Sequence, residues 1–111
     1  MFVNFEANNK AYKLRLNTRN VIALEKALGC NPVNIFDTKG AELPSVTTMV
    51  TVLHAALQQY QHGYSMNDAY ELFDAYIEDG HSIDEFIYVI LEIYQESGLI
   101  PKDVEVNPEK N

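Results

Sequence analysis

The twelve residues Ile83-Asp84-Glu85-Phe86-Ile87-Tyr88-Val89-Ile90-Leu91-Glu92-Ile93-Tyr94 constrain the fold more than any other stretch. Ser82 before them and Glu85 three residues on form the S-x-x-E capping box, and Gly98 supplies the stop. Ile83, Phe86, Ile87, Ile90, Ile93 and Tyr94 fall on one helical stripe. Tyr88, Val89 and Leu91 lie off that stripe and are apolar as well. A helix apolar around most of its circumference must be covered on more than one side. In 111 residues it is therefore either the central helix of the domain or half of a subunit interface. It is far too short to cross a bilayer, so no membrane span is expected.

The rest of the chain supplies partners for that helix. Residues 2–6 and 11–16 alternate as strands do, with Val3, Phe5, Tyr12, Leu14 and Leu16 on one face. Asn4, Glu6, Lys13 and Arg15 take the other face, where Phe2 has no evident place. Asn8-Asn9 between the strands tolerates the left-handed conformation of a tight turn. A two-stranded ribbon is marginal alone, so it must pack on helices, and its open edges offer a place for another strand.

Asn17 or Thr18 caps a helix over 19–28 with Val21, Leu24 and Leu28 inward, and Gly29 ends it. Asn31-Pro32 opens a short turn over 32–36 carrying Val33, Ile35 and Phe36. A polar loop runs from Asp37 to Pro44. The spacing of Val46, Met49, Val50, Leu53, Ala56, Leu57 and Tyr60 predicts a helix over 45–61. Ser65 with Asp68 opens another over 66–78, with Met66, Ala69, Tyr70, Phe73, Tyr76 and Ile77 inside and Asp68, Glu71, Asp74 and Glu78 outside. The Ser82 helix, over 83–97, is the last. The expectation is one α+β domain over residues 1–98, mostly helical, with an N-terminal hairpin over 2–16 and about four packed helices. Residues 99–111 then form a polar, flexible tail.

One cysteine, Cys30, excludes an internal disulfide, and Met-Phe-Val-Asn-Phe-Glu is no signal peptide, so a reducing cytoplasm is expected. The net charge of −8 is unevenly spread. Residues 1–39 carry six Lys and Arg against three acids, whereas residues 40–101 carry ten acids and no Lys or Arg. Such a surface repels nucleic acid. A solvated acidic half that keeps the protein in solution accounts for the split. A contact between the basic end of one copy and the acidic end of the next, or a basic partner, accounts for it too.

No constellation points to catalysis, a cofactor or a metal. His54, His62 and His81 do not converge, and neither a zinc set nor a phosphate-binding glycine loop is present. Cys30 has no base beside it and reads as a packed or inert thiol. The segment Glu78–Phe86 echoes a calcium loop, but placing Gly80 at the sixth position puts Ala75, Ile77 and Phe86 where ligands belong. The chain reads as a binding module. Its surplus apolar residues Tyr88, Val89 and Leu91, with Tyr94, are the candidate partner-binding residues, since aromatic residues are enriched at interfaces.

The hairpin end Tyr12-Lys13-Leu14-Arg15-Leu16, the helix Val21-Ile22-Ala23-Leu24-Glu25-Lys26-Ala27-Leu28-Gly29, and Asn31-Pro32 with Phe36 resemble the tail assembly chaperones of long-tailed bacteriophages and the related small proteins of gene transfer agents. Pro44, Met49, Leu53, Ala56-Leu57 and Met66 extend the resemblance over residues 2–98. It implies a non-enzymatic factor, acting in the bacterial host cytoplasm, that binds the tape measure protein and brings tail tube subunits to it. It implies absence from the finished particle and a short form paired with a frameshifted longer one. Glu109-Lys110-Asn111 permits the slippery codons GAA-AAA-AAC. Homo-oligomerisation is a further expectation. The alternatives are a structural head–tail or tail-completion protein, which would persist in particles, and an acidic antitoxin or anti-repressor that masks a basic partner.

Overall fold

Asn8 and Asn9 stand at φ of 56° and 61°, the paired left-handed residues of a two-residue type I′ turn. They join β1 (Val3–Ala7) to β2 (Lys10–Leu14) in an antiparallel hairpin with Val3 opposite Leu14 and Phe5 opposite Tyr12. Those four side chains, with Ala7 and Leu16, are buried, while Asn4, Glu6 and Lys13 face outward. The computed structural model describes residues 1–36 and 43–103. Most of the loop after Phe36, and Glu109-Lys110-Asn111, lie outside the described residues.

Four α-helices and a 3₁₀ turn follow. In α1 (Thr18–Leu28) the Asn17 side chain caps the start by accepting from the Asn20 N–H at 2.9 Å. Gly29 ends it at φ 74°, donating its N–H to the Glu25 carbonyl. The 3₁₀ turn spans Pro32–Phe36. Next come α2 (Val46–Leu57), α3 (Met66–Glu78) and α4 (Ile83–Glu96). The capping boxes Ser65/Asp68 and Ser82/Glu85 are both formed. The class is α+β with helix dominating.

The centre of the fold is α2 and not the Ser82 helix. Met49, Val50, Val52, Leu53, Ala55, Ala56 and Leu57 of α2 are buried, and it packs on α1, α3, α4 and β2. By contrast α4 buries one stripe, chiefly Phe86, Ile90, Ile93 and Tyr94, against α2 and β1. The physical difference is side-chain size. Ala55 and Ala56 let neighbours approach α2 from several sides, whereas α4 buries a single stripe of bulky side chains. Phe5, Phe73, Tyr76 and Phe86 bring β1, α3 and α4 together, with ring centroids between 5.1 Å (Phe73–Phe86) and 6.4 Å (Phe73–Tyr76), the offset and edge-on spacing that aromatic rings prefer.

Three differences from the expectation matter most. First, α2 stops at Leu57, four residues before Gln61, and the Gln61 side chain reaches across to β2. Its amide accepts from the Lys13 N–H at 3.0 Å and donates to the Lys13 carbonyl at 2.9 Å. With the Arg15 N–H bonded to the Ala56 carbonyl, this closes the outer edge of β2, an open edge in the sequence reading. Second, Tyr70 points outward at 53 % exposure and Leu72 is buried instead, because α3 presents Ala69, Leu72, Phe73 and Tyr76 to the core. Third, Leu99 and Ile100 pack on the core, and the Leu99 N–H bonds the Tyr94 carbonyl at 2.8 Å. The ordered packing thus runs past Gly98. Phe2 also finds its place on the outer face, edge-on to Tyr60 at 5.6 Å and under the Lys13 ammonium at 4.9 Å.

Candidate partner-binding surface

The four candidate residues of α4 do not form one patch. Tyr88 is 38 % exposed, and Val89 and Leu91 are half-buried. Two positions apart on a helix, Val89 and Leu91 lie on opposite flanks, and Val89 packs against the core. Tyr94, on the same stripe as Phe86, Ile90 and Ile93, is fully buried and so presents no surface to a partner in the folded chain. Its ring lies edge-on to Phe36 at 5.8 Å and its hydroxyl donates to the Pro32 carbonyl at 2.9 Å. Burial, with a smaller contribution from Cys30, holds that phenol well above its ordinary pKa.

The apolar surface lies at the helix ends instead. Val46 opens α2 at 44 % exposure and Ile83 opens α4 at 42 %. With Phe73 and Ile77 of α3 they line an open groove of about 470 Å³, and the exposed carboxylates Asp74 and Glu78 complete its walls. Sequence periodicity put Val46, Ile77 and Ile83 on inward stripes. The stripes are correct, but the core ends before it reaches the terminal turns. The legible signal was position, since all three residues sit in the first or last turn of their helices. A stripe that continues to a helix end overshoots the globule when the neighbouring elements stop short.

Titratable groups near this groove serve the fold. The His81 ring stacks on Tyr76 at 4.2 Å, and its Nδ1 is 2.9 Å from the Glu85 carboxylate. The same carboxylate accepts from the Ser82 N–H at 3.1 Å, closing the capping box. The hydrogen bond to His81, then the one from the Ser82 backbone, lowers the Glu85 pKa. Burial, then the negative charges of Glu85 and Glu92, pushes Tyr76 up to about 12. Away from the groove, burial and the neighbouring Tyr64 raise Tyr12. His54 is half-buried, while His62 and Cys30 are exposed, so the thiol is not packed as expected. Among the described residues, no three His, Cys, Asp or Glu side chains are grouped to hold a metal ion. No described helix is long and apolar enough to cross a membrane.

What this arrangement can do is dock a helix. A shallow apolar trough between helix ends, walled by carboxylates, matches an amphipathic segment with basic residues beside its apolar stripe. A model of DUF6096, described as a family of unknown function, matches residues 5–111. No curated protein matches the chain, and no solved structure does.

Proposed function

The chain belongs to the DUF6096 family, and we propose that it is a non-enzymatic assembly chaperone that holds an amphipathic helical segment of a larger partner. The observation that carries this reading is the groove of Val46, Phe73, Ile77 and Ile83 walled by Asp74 and Glu78. Apolar anchors give such a contact its affinity, and the carboxylates select basic flanking residues. The absence of Lys and Arg from residues 40–101 makes that selection stronger.

The resemblance to tail assembly chaperones supplies the partner. The segment belongs to a phage tape measure protein, a long helical chain that needs its apolar stripes covered before tail tube subunits surround it. The complex forms in the cytoplasm of the bacterial host, and the chaperone leaves as the tube polymerises.

Co-expression with a phage tape measure protein and its tail tube protein tests the reading. The wild-type chain should retain the tape measure protein through purification. Val46→Asp with Ile83→Asp should lose it while the helical circular dichroism stays unchanged, because both side chains are already more than two-fifths exposed. A wild-type chain that captures no tape measure protein, or a double variant that captures it equally well, sinks the proposal.

A further inference from the structure

The same groove has a second complement in α1, which like α3 packs on α2. Among the exposed residues of α1, Arg19, Ile22, Ala23 and Lys26 follow at the spacing of one helical face, with the acid Glu25 exposed at its edge. Ile22 is 47 % exposed, an apolar residue with a cation about one turn to each side. The groove inverts this pattern, with apolar Val46, Ile77 and Ile83 beside the carboxylates Asp74 and Glu78.

We propose that, when no partner is bound, the groove takes α1 of a second copy of this chain. Ile22 enters between Val46, Ile77 and Ile83, and Arg19 and Lys26 lie against Asp74 and Glu78. This deepens the reading above and rests on it, since it assigns the free-state occupant of the same helix-docking groove.

The charges concerned are available. Among the described residues the ion pairs are His81–Glu85 and Lys102–Glu96, so within that set Arg19 and Lys26 meet no carboxylate and Asp74 and Glu78 meet no cation. Both α1 and α3 pack on α2 rather than mainly on each other, so the two surfaces are separate and the contact runs from one copy to the next. A head-to-tail contact of this kind closes into a ring or continues as an open chain, according to the rotation between copies. A tape measure helix competes for the groove and dissolves the self-contact, so that partner binding and self-association exclude each other.

Sedimentation velocity of the full chain with two charge-reversed variants tests this. One variant carries Arg19→Glu and Lys26→Glu, the other Asp74→Lys and Glu78→Lys. The wild-type chain should associate at low salt and dissociate as salt rises, since exposed charges are screened beyond about 8 Å at physiological ionic strength. Each variant alone should sediment as a monomer with unchanged circular dichroism, because all four residues are exposed. An equimolar mixture should associate again. The acidic α1 of the first fits the basic groove of the second, and the unaltered α1 and groove still fit each other. Ile22→Ser, which leaves every charge in place, should also reduce association.

A wild-type chain that stays monomeric at low salt overturns the proposal. So does a mixture that stays monomeric, or an Ile22→Ser chain that associates as the wild type does. If the tape measure protein is still captured in those cases, only the self-contact is lost and the chaperone reading stands. If Val46→Asp with Ile83→Asp leaves both capture and self-association untouched, the groove itself is not a docking surface.

Discussion

The Tyr94 hydroxyl donates to the carbonyl oxygen of Pro32 at 2.9 Å, joining residues sixty-two positions apart in a buried spot. That one bond ties the last turns of α4 to the 3₁₀ turn, beside the Phe36 ring. Tyr94→Phe keeps the ring packing and leaves the Pro32 carbonyl without its donor. An unsatisfied buried acceptor costs about 1–3 kcal/mol. The urea midpoint should fall accordingly with the m-value unchanged, since the surface exposed on unfolding is the same. A midpoint equal to that of the wild type would show that water reaches the carbonyl.

The hairpin was legible because each of its signals was local. Alternation fixed which side chains face inward, and Asn8-Asn9 fixed the turn, so Val3 opposite Leu14 follows from counting. Helix starts were legible for the same reason, as caps are written within three residues of one another. The central role of α2 was not legible, because it depends on small residues. Ala55 and Ala56 carry little hydrophobic signal, yet they let several elements close on one helix. The closing of the β2 edge was hidden too, since the Gln61 side chain acts on Lys13, forty-eight residues away. Tyr94 was misread because apolar character around a helix does not say which flank a neighbour covers. The groove escaped notice because periodicity marks a face and not where the core along that face ends.

The turn gives a sharp local test. Asn9 holds φ at 61°, a conformation that side chains other than Asn and Gly adopt only at a cost of about 1–2 kcal/mol. Asn9→Gly should be neutral or stabilise by a few tenths of a kcal/mol up to about 1, because Asn-Gly is the preferred type I′ pair. Asn9→Val should destabilise by about 1–2 kcal/mol or more, since a β-branched residue resists positive φ. Thermal midpoints of the three chains check the order. A valine variant as stable as the wild type would rule out a left-handed residue at this position.

Alkaline stability follows from the buried phenols. Tyr76 is raised from 10 to about 12 by burial and by the charges of Glu85 and Glu92, and Tyr94 and Tyr12 shift the same way. A raised pKa means that the folded chain favours the neutral phenol. The contribution is therefore complete below pH 10 and is lost as pH climbs from 10 towards 12. Urea midpoints measured through that window should fall, and Tyr76→Phe, which has no proton to lose, should fall less steeply. Equal slopes would mean that Tyr76 ionises as readily in the folded chain as in the unfolded one.

The acid side tests the cap of α4. Glu85 accepts from the Ser82 N–H and meets His81 Nδ1, and its pKa lies below the usual 4.5. A lowered pKa has the opposite sign: the carboxylate is favoured by folding, so its contribution is present above 4.5 and drains away as pH falls through the folded value. Glu85→Gln separates charge from hydrogen bond, because a glutamine at this position can still complete a capping box. Near neutral pH the variant loses the charged partner of His81 and the favourable negative charge in the first turn, so it should be less stable than the wild type. As the pH is lowered below 4.5 the wild-type chain should converge on it. Ser82→Ala removes the other half of the box by about 1 kcal/mol and takes away only the smallest of the causes that lower the Glu85 pKa, so most of its deficit should persist into acid. Urea midpoints of the three chains across the acid range decide between these shapes. If the glutamine variant tracks the wild type at constant offset, the Glu85 carboxylate contributes no pH dependence, and the coupling of His81, Glu85 and Ser82 is absent in solution.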